Sequence, residues 1–470
     1  MLLLMKKALL CIPVLFFLLT YSFGQTIDTK ESEKQIDSLI SAQINPNEPG
    51  VSILIAKQGK IVYEKAYGSA DVELNVPLQP DMVFKIGSVT KQFTAIAILQ
   101  LVEKGLISLQ DSIQKFLPYF PSKGYTITVE NLLTHTSGIM DYSNADTTHT
   151  YIEREDFTPQ RIINYFDKAP LEFIPGSKYN YSNSGYVLLG RIIEKITGER
   201  YHDYMRKNVI IPAGLTNTLY ADEHTIVSKR VRGYTKDNGF YENCEYQSVS
   251  IAYAAGDLMS TVNDLYKWNN SLLAYKLVSK ATLDKAFTPF KLKNGNFTRY
   301  GYGWFIDSIG GSKCIHHEGQ ISGFIAEEKY FPKEDVYVAV LTNVQSGEDK
   351  TGFSDGRFRL YETISQVALG KKLMREVILA DTILDNYVGT YLPTLGKKQT
   401  LTIYKKNGNL YADLSNGTGR NMLLVAQSET KFLLPDVRRI QTTFEFIKEN
   451  GKTTKLIAVQ EKQFEWQKIN

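Results

Sequence analysis

The first dense apolar run, Gly50-Val51-Ser52-Ile53-Leu54-Ile55-Ala56, breaks at the polar turn Lys57-Gln58-Gly59-Lys60 and resumes from Ile61 to Gly68. Apolar, β-branched stretches on either side of a short glycine-containing turn predict a hairpin. The pattern returns late, at Phe324–Phe331, the turn Pro332-Lys333-Glu334-Asp335, and Val336–Thr342. Between the hairpins, apolar residues recur at helical spacing in Arg161–Phe166 and Val187–Ile196. They are densest in Ala95-Ile96-Ala97-Ile98-Leu99-Gln100-Leu101-Val102. Strands from both ends of a body with a helical middle predict a mixed α/β (α+β) domain whose site lies at the junction.

A different pattern takes over towards the C-terminus. A helix-like stretch, Ser354–Leu369, closes at Gly370-Lys371-Lys372, and from Tyr387 onward short alternating runs are separated by turn residues. Leu401–Tyr404 and Leu410–Leu414 flank Asn407-Gly408-Asn409, and Lys431–Leu434, Thr442–Ile447 and Lys455–Val459 follow. Runs of this kind predict a separate antiparallel sheet or small β-barrel at 384–470, an accessory domain with no catalytic constellation. The catalytic body is then 25–372.

Residues 1–24 have the layout of a secretory signal peptide: Lys6 and Lys7, an apolar core from Ala8 to Thr20, and Ser22-Phe23-Gly24 as a small-residue cleavage site. An exported protein, periplasmic or extracellular, is therefore expected. Loss of these two lysines lowers the formal charge from +4 to +2, too near neutral for a nucleic-acid or membrane-surface binder. No later segment has the ~20 apolar residues of a membrane span. Cys244 and Cys314 remain, with nothing in the sequence to pair them.

Candidate chemistry begins at Gly87-Ser88-Val89-Thr90-Lys91, directly before the densest apolar run. On a helix starting there, i,i+3 spacing puts the Lys91 amine beside the Ser88 hydroxyl. Burial favours a neutral lysine, and a neutral lysine can take the proton of a serine nucleophile. Ser112/Lys115 and Ser428/Lys431 share the spacing but lack the glycine and the apolar helix. A second motif, Tyr181-x-Asn183, precedes the Val187–Ile196 helix and offers a phenol to relay protons and a carboxamide to bind an amide. Tyr142-x-Asn144 and Tyr241-x-Asn243 repeat it, so a turn with a helix cap is the alternative. A third, His317-Glu318-Gly319-Gln320, offers a cation at His317 for a substrate carboxylate and, at Gly319, room for substrate along the backbone. Adjacent strand residues point to opposite faces, which counts against a zinc site at His316, His317 and Glu318.

Ser88-x-x-Lys91, Tyr181-x-Asn183 and His317-x-Gly319, in that order, resemble the serine β-lactamase and penicillin-binding-protein family. The resemblance runs from about Ile36 to Leu369. Leu109-x-Asp111, Ile127–Ile139 with its Leu133-Thr134-His135-Thr136-Ser137-Gly138, and Ala255-Gly256-Asp257-Leu258-Met259-Ser260-Thr261 carry it further. The Tyr-x-Asn motif is similar to that of class C β-lactamases, D-alanyl-D-alanine carboxypeptidases, D-aminopeptidases and related esterases. The third motif departs from the lactamase Lys-Thr-Gly towards the His-x-Gly of some D-peptidases.

The resemblance implies an antiparallel sheet flanked by helices, an inserted helical lobe, and a lipocalin-like C-terminal appendage. It implies acyl transfer through Ser88, with Lys91 and Tyr181 sharing the base work and Asn183 holding the substrate amide. The backbone amides of Ser88 and Gln320 would form the oxyanion hole, and His135 would hold a turn. No cofactor or metal is implied. The partner is a β-lactam, a D-amino-acid peptide or an ester. A penicilloyl-binding sensor, a non-catalytic wall-binding protein and a short-chain esterase are the alternatives.

Overall fold

The computed structural model describes residues 29–144, 155–237, 239–346, 357–371, 377–394, 399–406, 408–415, 422–434, 442–459 and 463–469. The segment expected to be a signal peptide, residues 1–24, lies outside them. Both expected hairpins form, Val51–Lys57 with Lys60–Tyr67 and Phe324–Phe331 with Val336–Thr342. They share one antiparallel sheet because Val51 pairs with Thr342 and Lys57 with Val336, joining chain ends nearly 300 residues apart. The sheet order is Phe305–Ile309, Ser312–Ile321, Phe324–Phe331, Val336–Thr342, Val51–Lys57 and Lys60–Tyr67.

Its central strands read as continuous apolar runs because both faces are covered. Leu54, Ala56, Tyr337, Ala339 and Leu341 face the larger core, whereas Val51, Ile53, Ile55, Val338 and Val340 face a second core. That second core is closed by the terminal helices Thr29–Ser41 and Arg357–Ala368, through Ile36, Ile40, Leu360 and Ile364. The larger core surrounds the mostly apolar helix Thr90–Glu103, which is buried from Thr90 to Leu101. A helix of that composition belongs at the centre of a domain. The residues from 113 to 286 supply the helical lobe, including Asn183–Thr197 and Val262–Leu273.

The C-terminal part is a closed eight-stranded antiparallel barrel. Strands Gly389–Pro393, Met422–Ala426 and Gln463–Lys468, which the apolar pattern leaves unmarked, complete it, and Gly389–Pro393 pairs with Gln463–Lys468 to close the ring. Tyr387, Tyr391, Phe432, Phe444 and Phe446 fill its interior. No helix among the described residues is long and apolar enough to cross a membrane. Cys244 and Cys314 are not joined in a disulfide, and Cys314 packs in the second core.

Candidate active site

Ser88 sits in a single 3-10 turn, Gly87–Val89, that runs directly into the central helix. Gly87 has φ +48, and a Cβ there would lie 2.8 Å from the Gln320 backbone nitrogen. Opposite it, a Cβ on Gly319 would fall 1.9 Å from the Ile86 carbonyl oxygen and 2.9 Å from the Ser88 nitrogen. Each glycine is demanded by the other segment's backbone. The strand is thereby pressed against the serine turn, with the Ser88 and Gln320 amides at the contact. Two amides so placed suit a developing oxyanion.

Lys91 is wholly buried, and its Nζ has three protein partners: Ser88 Oγ at 2.9 Å, Asn183 Oδ1 at 2.8 Å and the Ala255 carbonyl at 2.7 Å. Burial lowers its pKa to about 7, against the opposing pull of the Asp141 carboxylate. In the neutral amine, two N–H bonds go to the partners that only accept, Ala255 and Asn183. The lone pair is left for the Ser88 hydroxyl. That is the geometry of a base poised on a nucleophile. Ser88 itself keeps partial exposure, so a substrate can reach it.

Tyr181 hydrogen-bonds Ser88, and its ring lies 4.9 Å from Lys91 Nζ. Burial raises the phenol well above its ordinary pKa. Tyr181 therefore keeps its proton in the resting site, whereas Lys91 is the group beside Ser88 whose pKa is lowered. Asn183 bridges two charges: Oδ1 accepts from Lys91, and Nδ2 donates to Asp141 Oδ2 at 3.1 Å. One N–H of that amide remains for a substrate carbonyl.

Asp141 carried no signal of spacing or composition. It is buried, accepts from the Ser143 amide at 3.1 Å, and burial raises its pKa. Its signature is purely spatial, a carboxylate brought to a lysine by the loop after Ser137-Gly138.

His135 has φ +54 and is buried. Its Nδ1 accepts from the Ser182 amide at 3.1 Å and its carbonyl from Asn180 at 2.9 Å, so it ties its own turn to the Tyr181 loop. Tilted against Tyr181 with ring centroids 4.2 Å apart, and with Tyr300 also against it, it is held well below its ordinary pKa by burial and then by Lys91. It packs against the relay and holds a turn.

His317 differs from the sequence expectation. It is buried, Nδ1 donates to the Glu318 carbonyl, and Nε2 lies within hydrogen-bond distance of the Tyr300 hydroxyl, at 2.9 Å. The Glu318 carbonyl can only accept, so Nδ1 carries the proton and Nε2 is spent on Tyr300. With both ring nitrogens engaged inside the protein, neither is left to meet a substrate carboxylate. His316 is buried too, paired with Asp307 at 2.9 Å. The competing spacings resolve elsewhere. Tyr142 donates to the Ile251 carbonyl, Tyr241 to Glu48, Ser112 caps a short 3-10 turn, and Ser428 accepts from the Lys431 amide.

Comparison with known proteins gives a consistent picture. The Beta-lactamase family model matches residues 36–357. Penicillin-binding protein 4* of Bacillus subtilis is 26% identical over 432 residues, covering 86% of this chain and 92% of that protein. Protein flp of Staphylococcus aureus strain COL is 30% identical over 331 residues, 68% of this chain and 64% of that protein. Among solved structures, an octameric penicillin-binding protein homologue from Pyrococcus abyssi superposes with a TM-score of 0.65 at 28% identity. It covers 94% of this chain and all of its own, so the match continues into the barrel. D-amino acid amidase from Ochrobactrum anthropi SV3, complexed with D-phenylalanine, gives 0.62 at 25% identity, with 72% of this chain and 98% of its own covered.

Proposed function

The chain belongs to the Beta-lactamase family as a serine hydrolase of the β-lactamase and penicillin-binding-protein type, and from that premise we propose that it hydrolyses amide bonds of D-amino-acid compounds through an acyl-enzyme on Ser88. The observation that carries the proposal is the 2.9 Å contact between Ser88 Oγ and a Lys91 amine held near neutrality. In this reading Lys91 accepts the Ser88 proton as Oγ adds to the carbonyl carbon, and the oxyanion meets the Ser88 and Gln320 amides. The C–N bond then breaks, and the departing amine takes its proton through Tyr181. Water, deprotonated by the same Lys91, cleaves the ester, and the proton returns to Ser88 Oγ.

The D-amide preference draws on the likeness to D-amino acid amidase. It also draws on His317, whose contacts with Tyr300 and Glu318 leave neither ring nitrogen for a β-lactam carboxylate. Export through residues 1–24 is part of the proposal and would put the enzyme where D-amino-acid peptides occur.

The test has two readouts. Intact-mass and peptide analysis after a fluorophosphonate should place one adduct on Ser88, and an adduct on another residue rules the mechanism out. Turnover of the secreted protein should rank a D-amino acid amide above a nitrophenyl ester and nitrocefin. A preference for nitrocefin would return the protein to the lactamases, and a stable adduct without turnover would make it a sensor.

A further inference from the structure

The segment that supplies the Ala255 carbonyl to Lys91 also carries one half of a second polar cluster, in which Asp257 is buried and His202 partly exposed. Ala255 ends the 3-10 turn Tyr253–Ala255, and Tyr253 holds φ +40. A bulky residue keeps that conformation only where its surroundings impose it. The segment is fastened to the central helix, since Thr94 Oγ1 donates to the Ala254 carbonyl at 2.7 Å and the Leu258 amide to Thr90 Oγ1 at 3.1 Å. Two residues past Ala255, Asp257 is fully buried, and the His202 ring nitrogen Nε2 donates to its Oδ2 at 2.6 Å. Oδ1 of Asp257 has no hydrogen-bond partner, so His202 is the compensation for that buried carboxylate.

His202 comes from the short helix Tyr201–Met205, and its ring stacks on Tyr220 at 3.8 Å between Tyr201 and Tyr253. Besides Asp257, the charged groups facing it are Glu194 and Arg200. Burial disfavours its imidazolium, but the Asp257 charge and hydrogen bond, together with Glu194, raise the pKa. The ion pair spans the Tyr201–Met205 helix and the segment that touches Lys91.

We propose that His202 and Asp257 are positioning residues for Lys91: the pair clamps the Tyr253–Leu258 segment so that the Ala255 carbonyl stays on Nζ and water stays off it. The proposal rests on the reading of Lys91 as the base for Ser88. Breaking the clamp loosens the segment and hydrates the amine, which favours the ammonium form. The lysine then needs a higher pH to act.

The experiment compares wild type, His202→Ala and His202→Gln, whose amide N–H still donates to Asp257. Two quantities are followed against pH: the rate at which a fluorophosphonate labels Ser88, and the Lys91 13Cε resonance, assigned by its loss in Lys91→Ala. In His202→Ala, labelling at neutral pH should fall about tenfold and recover at alkaline pH, as a tenfold smaller neutral fraction requires. The Lys91 titration should move to higher pH with it. His202→Gln should restore both. A loss equal at every pH, or an unmoved Lys91 titration, overturns the proposal and leaves the pair a fold-stabilising contact. If wild-type Ser88 is not labelled, the reading of the site fails, and the Lys91 titration alone decides the clamp. Should His202→Ala not fold, Asp257→Asn keeps the shape and drops the charge. It must move the Lys91 titration in the same direction, and an unmoved titration overturns the clamp.

Discussion

Gly319→Ala is the sharpest perturbation of the anion-binding contact. The added methyl would start 1.9 Å from the Ile86 carbonyl oxygen, and ordinary van der Waals contact begins at 3.4 Å, so strand and serine turn must part by about 1.5 Å. The same methyl would sit 2.9 Å from the Ser88 nitrogen, in the space an oxyanion needs. Losing one oxyanion donor costs on the order of 10²–10³ in kcat, about 2.7–4 kcal/mol of transition-state stabilisation. Misplacement by about 1 Å acts on a similar scale, about 10²-fold. The oxyanion forms only in the transition state, so kcat should fall by about that much while KM changes little. Overpacking of this kind also destabilises by about 1–3 kcal/mol, so Tm must be measured beside kcat. Gly185→Ala is the control. Its methyl meets the Leu132 carbonyl oxygen at 3.4 Å, an ordinary contact, and kcat should hold. A Gly319→Ala protein with wild-type kcat and unchanged Tm would refute the close approach and the oxyanion site built on it.

Lys91 must be neutral to act, and burial sets its pKa to about 7, so kcat/KM should climb as pH rises through 7 and then level off. A profile flat from pH 5 to 9 would exclude Lys91 as the base. The Asp141 carboxylate favours the charged lysine, so Asp141→Asn should move that rising limb to lower pH, read from the same profiles. Removal of the barrel, with the chain ending at Gly370, should leave Ser88 labelling at the wild-type rate, because the side chains around Ser88 come from residues 88–320. A folded truncation that no longer labels would show that the barrel completes the cleft. His317→Ala leaves the Tyr300 hydroxyl short of a buried partner and should cost about 1–3 kcal/mol of stability, measured by denaturant unfolding.

The hairpins and the central helix were legible because each is determined by its own burial. A strand covered on both faces or a helix covered all round needs a nearly continuous apolar run, and such runs stand at Val51–Ala56, Val336–Leu341 and Ala95–Val102, interrupted only by Ser52 and Gln100. Barrel closure was only half legible. Gly389–Pro393 and Gln463–Lys468 alternate buried and exposed positions too weakly to stand out, and it is pairing with each other and with Leu401–Lys406 and Lys452–Val459 that makes them strands. Ser88 and Lys91 could be read because one helical turn joins them. Their partners could not, since Nζ bonds to residues 3, 92 and 164 positions away, and no local pattern encodes the last of these.

The same limit explains His317. Strand alternation said that His316 and His317 face opposite ways, and they do, but it could not say that both ways are covered. Asp307 waits for one and Tyr300 for the other, both from the segment just before the strand. A titratable residue in a motif carries its family's charge only if the fold leaves that charge unspent. Here Tyr300 and the Glu318 carbonyl spend the His317 ring, whereas the site around Lys91 leaves one lone pair for Ser88.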